Sequence, residues 1–203
     1  MTDMDRSDHG SALLVTLLTA MLLAGLAGGL TMALMTEEAV EANHRRAVVA
    51  LYAADGMLTR VVSELARLPD WQPVLDGTYV SSLRVGTATR RLADGSSVDL
   101  FFVTDALQRE LDEARGAGAA RWRLHAWGWF GDLVTDPNQD RRLLVAAWVR
   151  GGVVRTTPSN DLEQQQVVLR ALAFGPFGTR REVEAVLVRY EGAVRVIAWD
   201  LDR

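Results

Sequence analysis

The chain has 203 residues, a formal net charge of -4 and no cysteine. The acidic balance argues against non-specific adhesion to nucleic acid, which needs a basic face to displace counterions from phosphates, and the missing thiols exclude a disulfide framework and a thiolate metal site. All 22 basic residues are arginine, and beyond the first 36 residues there is room for one head with a modest core rather than two.

Residues 1 to 9 read MTDMDRSDH and end against Gly10; from Gly10 to Thr36 no residue is charged. About 20 apolar or small residues cross a hydrocarbon core of about 30 Å at about 1.5 Å per residue, so this stretch can span a membrane. Three kinds of segment fit it. A secretory signal would use Leu13 to Ala24 as its core with a cut after Ala27, but it leaves the acidic start and the uninterrupted helix beyond unexplained. A plain anchor fits the length and gives no reason for a glycine at the polar boundary. The third kind rests on a family resemblance carried by Gly10 and the residues that follow it. Arg6 on one side and Arg45 with Arg46 on the other leave the orientation open.

Within the span Ala20, Ala24 and Gly28 recur every four residues, as do Gly25 and Gly29. Such spacing lets helices approach closely in lipid, and it also reflects how common small residues are in membrane helices. Gly25, Gly28 and Gly29 each weaken the helix by roughly 1 kcal/mol relative to alanine. From Glu37 to Leu68 the pattern turns amphipathic: Val40, Ala47, Leu51, Ala54, Leu58, Val61, Leu65 and Leu68 form one stripe at helical spacing. Pro69 and Pro73 bracket its end.

The polar leader, Gly10, the run SALLVTLLTAMLL, Glu37-Glu38 and the following EANHRRAVVALYAADGML resemble the N-terminus of type IV minor pilins of the PilX kind. The most specific piece is Asn43 followed by Ala50-Leu51-Tyr52-Ala53-Ala54-Asp55. The resemblance implies a prepilin leader over 1–10, cleaved after Gly10 by a prepilin peptidase that methylates the new amine of Ser11. It implies a membrane and filament-core half of the helix over 11–36 and an amphipathic half over 37–68. Val15, fifth in the implied mature chain, stands where major pilins carry a glutamate that pairs with a neighbouring amine. A buried carboxylate is tolerable only with such a partner, so Val15 points to an initiator or tip subunit. Asp3, Asp5 and Asp8 depart from the basic leaders usual in the family. Implied partners are other minor pilins, the major pilin, the assembly platform and a PilY-type tip adhesin. The implied location is the inner membrane, single pass, and then the extracellular pilus. A type II secretion pseudopilin like GspK and a membrane-anchored binding or sensory domain are the alternatives.

In the head, 69–203, Asp70 to Pro73 opens a loop, and TYVSSLRVG and TATRRLADGSSVDLFFV alternate in polarity. Asp94-Gly95 predicts a hairpin joining Thr89–Ala93 with Val98–Val103, and Asp105 with Gln108 resembles a capping box before ALQRELDEAR, which Gly116 and Gly118 terminate. An internal echo follows: WGWFG with RRLLVAAWVR from Arg141 is answered by FGPFG with RREVEAVLVR from Arg180. This predicts a duplicated hairpin over 121–150 and 165–190, a last strand from Ala193, and an antiparallel meander. WRLHAWGWFGDLV resembles the second halves of some PilX-like pilins. The expected fold is α+β, a long N-terminal membrane-spanning helix packed on an antiparallel sheet.

No chemistry of an enzyme is expected. His9, His44 and His125 lack ligand spacing, and Gly95-Ser96-Ser97 has no histidine partner or nucleophile elbow around it. Asp136 to Asp140 has the oxygen spacing that begins a calcium loop, yet Arg141 stands where glycine is needed and Ala147 where a bidentate glutamate belongs. Trp122, Trp127, Trp129, Trp148 and Trp199 suit a sheet core, and any that proves exposed points to a protein contact. No cofactor or metal is expected.

Overall fold

The computed structural model describes residues 5–116, 118, 120–133, 143–152, 165–190 and 193–201, and falls into two compact units, 1–45 and 46–203. The first helix, α1 (Asp5–Arg67), runs through both. In the first unit its apolar side chains from Leu13 to Met35 are exposed. The threonines there satisfy themselves: Thr16, Thr19, Thr31 and Thr36 donate to the carbonyls of Leu13, Val15, Ala27 and Met32 at 2.8–2.9 Å. Hydroxyls bonded back into their own helix bring no unsatisfied donor into an apolar medium. Glu41 and Arg45, an i, i+4 pair 2.8 Å apart, mark the return of charge.

In the second unit α1 buries Ala50, Ala53, Ala54, Met57, Leu58, Val61 and Leu65. Spacing by three and four puts them on one face, and small alanines allow close approach to the sheet. Of the expected stripe, Ala54, Leu58, Val61 and Leu65 are buried, Ala47, Leu51 and Leu68 half-buried, and Val40 exposed. The helix stops two residues before Pro69. Its late carbonyl at Leu65 accepts from Trp71 Nε1 (2.9 Å) and Arg189 Nη2 (3.2 Å), which satisfies a group the helix leaves unpaired. Arg189 lies 4.6 Å over the Trp71 ring. The expected loop at 70–73 thus contains a fully buried tryptophan and leads into a short helix α2 (Gln72–Asp76), closed by Gly77 at φ 79°.

Next come β1 (Thr89–Arg91), β2 (Ser97–Asp99) and α3 (Leu100–Arg115). The hairpin forms around Asp94-Gly95 as predicted but is shorter, because Asp99 caps a helix: its carboxylate accepts from Phe101 N at 2.9 Å and Phe102 N at 3.4 Å. The expected cap at Asp105 lies inside α3, and Phe101, Phe102 and Val103 are helical instead of strand. Leu100, Leu107 and Leu111 form the buried face of α3. TYVSSLRVG forms no named strand; one parallel bridge joins Arg84 to Trp127.

The main sheet is β3 (Arg123–Trp129), β4 (Leu144–Gly151), β5 (Gln165–Phe174), β6 (Arg180–Tyr190) and β7 (Ala193–Leu201), in that order and antiparallel throughout, with α4 (Phe130–Leu133) following β3. The meander predicted from the echo is present. Its β5–β6 turn holds Phe177 at φ 59°, a left-handed conformation unusual for an aromatic residue. Both faces are covered at β4 and β5. Val145, Ala147, Val149, Val167, Leu169, Ala171 and Ala173 join the α1 cluster, while Leu144, Ala146, Trp148, Val168 and Leu172 join the α3 cluster. Trp122 and Trp148 are buried, Trp127 and Trp129 half-buried, and Trp199 exposed at 40%. The antiparallel sheet packs on α1 as expected, and α3 is a further layer that the sequence reading did not assign.

Candidate functional site

Two parts of the molecule concentrate features beyond ordinary packing, and the first is the apolar segment. By length and composition α1 can cross a membrane: its most apolar 18-residue window has mean hydropathy 2.2 and none of it is buried. The backbone is helical across the Gly10–Ser11 bond. Val15 is 62% exposed, and Ala20 and Ala24 are exposed with it. A Cβ placed on Gly25, Gly28 or Gly29 would meet nothing within 4 Å. Small residues that no packing within the chain requires are available to a neighbouring helix. Asp136 to Asp140 lies outside the described residues.

The second part is a polar cluster between α1 and β3. His125 sits on β3 with 2% of its surface exposed, and its Nε2 is 2.9 Å from Glu64 Oε2 on α1. Ser81 Oγ lies 2.7 Å from Glu64 Oε2 and 2.9 Å from Oε1; Tyr79 donates to Oε1 at 3.1 Å and Ser82 N at 3.2 Å. The Tyr79 ring stacks on His125 with centroids 6.0 Å apart. Burial by itself would raise the Glu64 pKa, but the hydrogen bonds from His125 and Ser81 outweigh it and hold the carboxyl at about 2, against an ordinary 4.5. An ionised carboxylate only accepts, so the His125 Nε2 carries the proton of their shared bond. Burial and the same carboxylate push the Tyr79 hydroxyl up.

Serine, histidine and an acid are together here, but in an order that does not activate the serine. A nucleophilic triad needs the imidazole between hydroxyl and carboxylate; in this cluster the carboxylate is the hub and Ser81 is bonded to it. Ser81 is also 3% exposed and accepts from Leu83 N at 3.1 Å. The arrangement ties α1 to the 79–84 segment and to β3. Arg84 extends the tie, donating to the carbonyls of His125 (2.8 Å) and Leu124 (3.1 Å) while lying 5.0 Å over the Trp127 ring.

On the other face of the sheet, Arg150 and Arg170 lie 4.9 and 5.3 Å from the Trp122 ring. Burial pushes the Arg150 guanidinium down. At Arg170 burial acts the same way, but Glu182, Glu184 and Glu110 outweigh it and hold the guanidinium up. Arg170 contacts Glu184 at 2.9 Å and Glu110 at 3.2 Å, so β5, β6 and α3 share one charge network.

The sequence reading placed His125 in a strand and did not single out Glu64, Ser81 or Tyr79. Glu64 and His125 are 61 positions apart, and no local spacing marks them as partners. The available signal was a carboxylate beside the apolar stripe of α1, flanked by the buried Val61 and Leu65. Compared with known proteins, the chain matches no family model, no curated protein sequence and no solved structure.

Proposed function

We propose that the chain is a minor type IV pilin of the PilX kind, working in pilus assembly as an initiator or tip subunit and carrying out no catalysis. The observation that carries this reading is the glycine at the polar to apolar boundary, followed by an uncharged run that passes without a helix break into an amphipathic stripe. An anchor alone gives no reason for that glycine. A cleaved signal gives no reason for helix continuing beyond Ala27. The long helix with its stripe against an antiparallel sheet supports the same layout. On this reading the prepilin peptidase cuts after Gly10 and methylates Ser11, and residues 11–36 hold the subunit in the inner membrane until it enters the extracellular pilus. Its partners on this reading are the assembly platform while it is in the membrane, and other minor pilins, the major pilin and a PilY-type adhesin.

Val15 is the residue that supports the tip or initiator position. A subunit without the glutamate makes no pair with a neighbouring amine, so it is scarce in filaments and concentrated at one end. Labelling the head and imaging filaments tests this, together with Val15→Glu. A carboxylate added in an apolar core is tolerated only where an amine reaches it, so incorporation should fall or stay unchanged. Uniform label along the shaft, or greater incorporation of Val15→Glu, contradicts the tip position.

A further inference from the structure

The two edges of the main sheet are treated differently. Along β3 the 83–85 segment closes the edge: Val85 N donates to Trp127 O at 2.8 Å and Trp127 N to Leu83 O at 3.3 Å. Strand β7, at the opposite edge, pairs only with β6 among the described residues. It is nine residues long, contains neither proline nor lysine, and exposes Val196, Ile197, Trp199 (40%) and Leu201. An outer row of N–H and C=O groups on such a strand is a template for another strand.

What that other strand is follows from the register. On β6, Val183, Ala185 and Leu187 belong to the α1 side, and they stand opposite Leu201, Trp199 and Val196. Glu184, Val186 and Val188 stand opposite Asp200, Ala198 and Arg195. Directly opposed residues share a face. Residues 195 and 200 would lie on opposite faces of a regular strand, but the shift between Val186 and Leu187 leaves Ile197 as an extra residue and brings Arg195 and Asp200 to one face. Bulges often bend an edge out of pairing; here the bulge makes the strand self-complementary.

From these observations we infer that β7 pairs antiparallel with β7 of a second copy of this chain, about a two-fold axis perpendicular to the sheet between Ile197 and Ala198. In this register Arg195 faces Asp200 of the second copy twice over, Val196 faces Trp199, and Val194 faces Leu201. Each of these pairs joins side chains of the same face, and the two sheets become one of ten strands. No hydrogen bond or ion pair is formed by Arg195 among the described residues. The pairing does not depend on the pilin assignment.

The test uses the full chain in detergent, which has no cysteine of its own. Directly opposed strand residues have Cα atoms about 4.5–5.5 Å apart, within disulfide reach. Positions 195 and 200 of one strand are about 16 Å apart and cannot bridge each other. Arg195→Cys with Asp200→Cys should therefore give a covalent dimer under mild oxidation. Ala193→Cys with Asp200→Cys, on the same face but two residues out of register, should not. Light scattering should show a dimer for the unmodified chain. Arg195→Asp should raise its dissociation constant at least tenfold, and Arg195→Asp with Asp200→Arg should restore it. Equal cross-linking by the two cysteine pairs, none by the first, or association indifferent to Arg195→Asp overturns the inference. A chain monomeric at every concentration does so too, and leaves the β7 edge to a strand of a different protein.

Discussion

Replacing Glu64 by glutamine keeps the shape of the hub and removes its charge. The carboxyl's fall from an ordinary 4.5 to about 2, at about 1.4 kcal/mol per pH unit, caps the contribution of the ionised form near 3 kcal/mol. The Glu64 side chain is 12% exposed, and solvent screening brings the expected loss to about 1–2 kcal/mol. Because the folded-state value is depressed, this stability is fully present above the unfolded value near 4.5. It is lost as pH falls toward 2, where the protonated carboxyl resembles the amide. Urea midpoints of a head fragment beginning at Glu37, measured for wild type and Glu64→Gln at pH 7, 5, 4 and 3, read the effect. The gap should hold between pH 7 and 5 and shrink steadily below. A gap as wide at pH 3 as at pH 7, or none at pH 7, would refute the claim that hydrogen bonds from His125 and Ser81 hold an ionised carboxylate there.

Leu58 is fully buried under the sheet, so Leu58→Ala should cost about 2–5 kcal/mol; Tyr52, 70% exposed, should cost under about 0.5 kcal/mol when cut to alanine. Equal midpoints for the two variants would mean the stripe faces away from the sheet. Asp99→Ala should lower stability by about 1 kcal/mol through loss of the α3 cap, with Asp105→Ala close to neutral. The reverse order would place the helix start at Asp105.

The membrane-capable helix, its stripe and the five-strand meander were legible because each rests on a pattern within a short window. Spacing by three and four marked Leu58, Val61 and Leu65, and the repeated glycine-rich turn with its arginine pair marked the successive hairpins. The layer formed by α3 was hidden. LFFV after Asp99 is a short apolar run that suits strand or helix equally, and the decision came from the Asp99 carboxylate reaching Phe101 N. Burial of Trp148 and Leu144 on the α3 side also depends on a partner distant in sequence. The Glu64 cluster was unreadable for the same reason. Its members come from a helix, a loop and a strand, and only the packing of α1 beside β3 puts Ser81 and His125 on one carboxylate. Asp94-Gly95 carried its own turn chemistry, so that hairpin was predicted in the right place even though its second strand was overextended.

On the function proposed above, Gly10 is a processing site at the head of a filament-core helix. Mass determination of the N-terminal peptide from the membrane-bound protein, made in cells that hold a prepilin peptidase, tests it most directly. Processing at Gly10 gives a chain beginning at Ser11 with a methylated amine, and an uncleaved, still membrane-bound chain for Gly10→Val. An intact leader in the wild-type protein, a start at Gly28, or equal shortening of the Gly10→Val variant would contradict it.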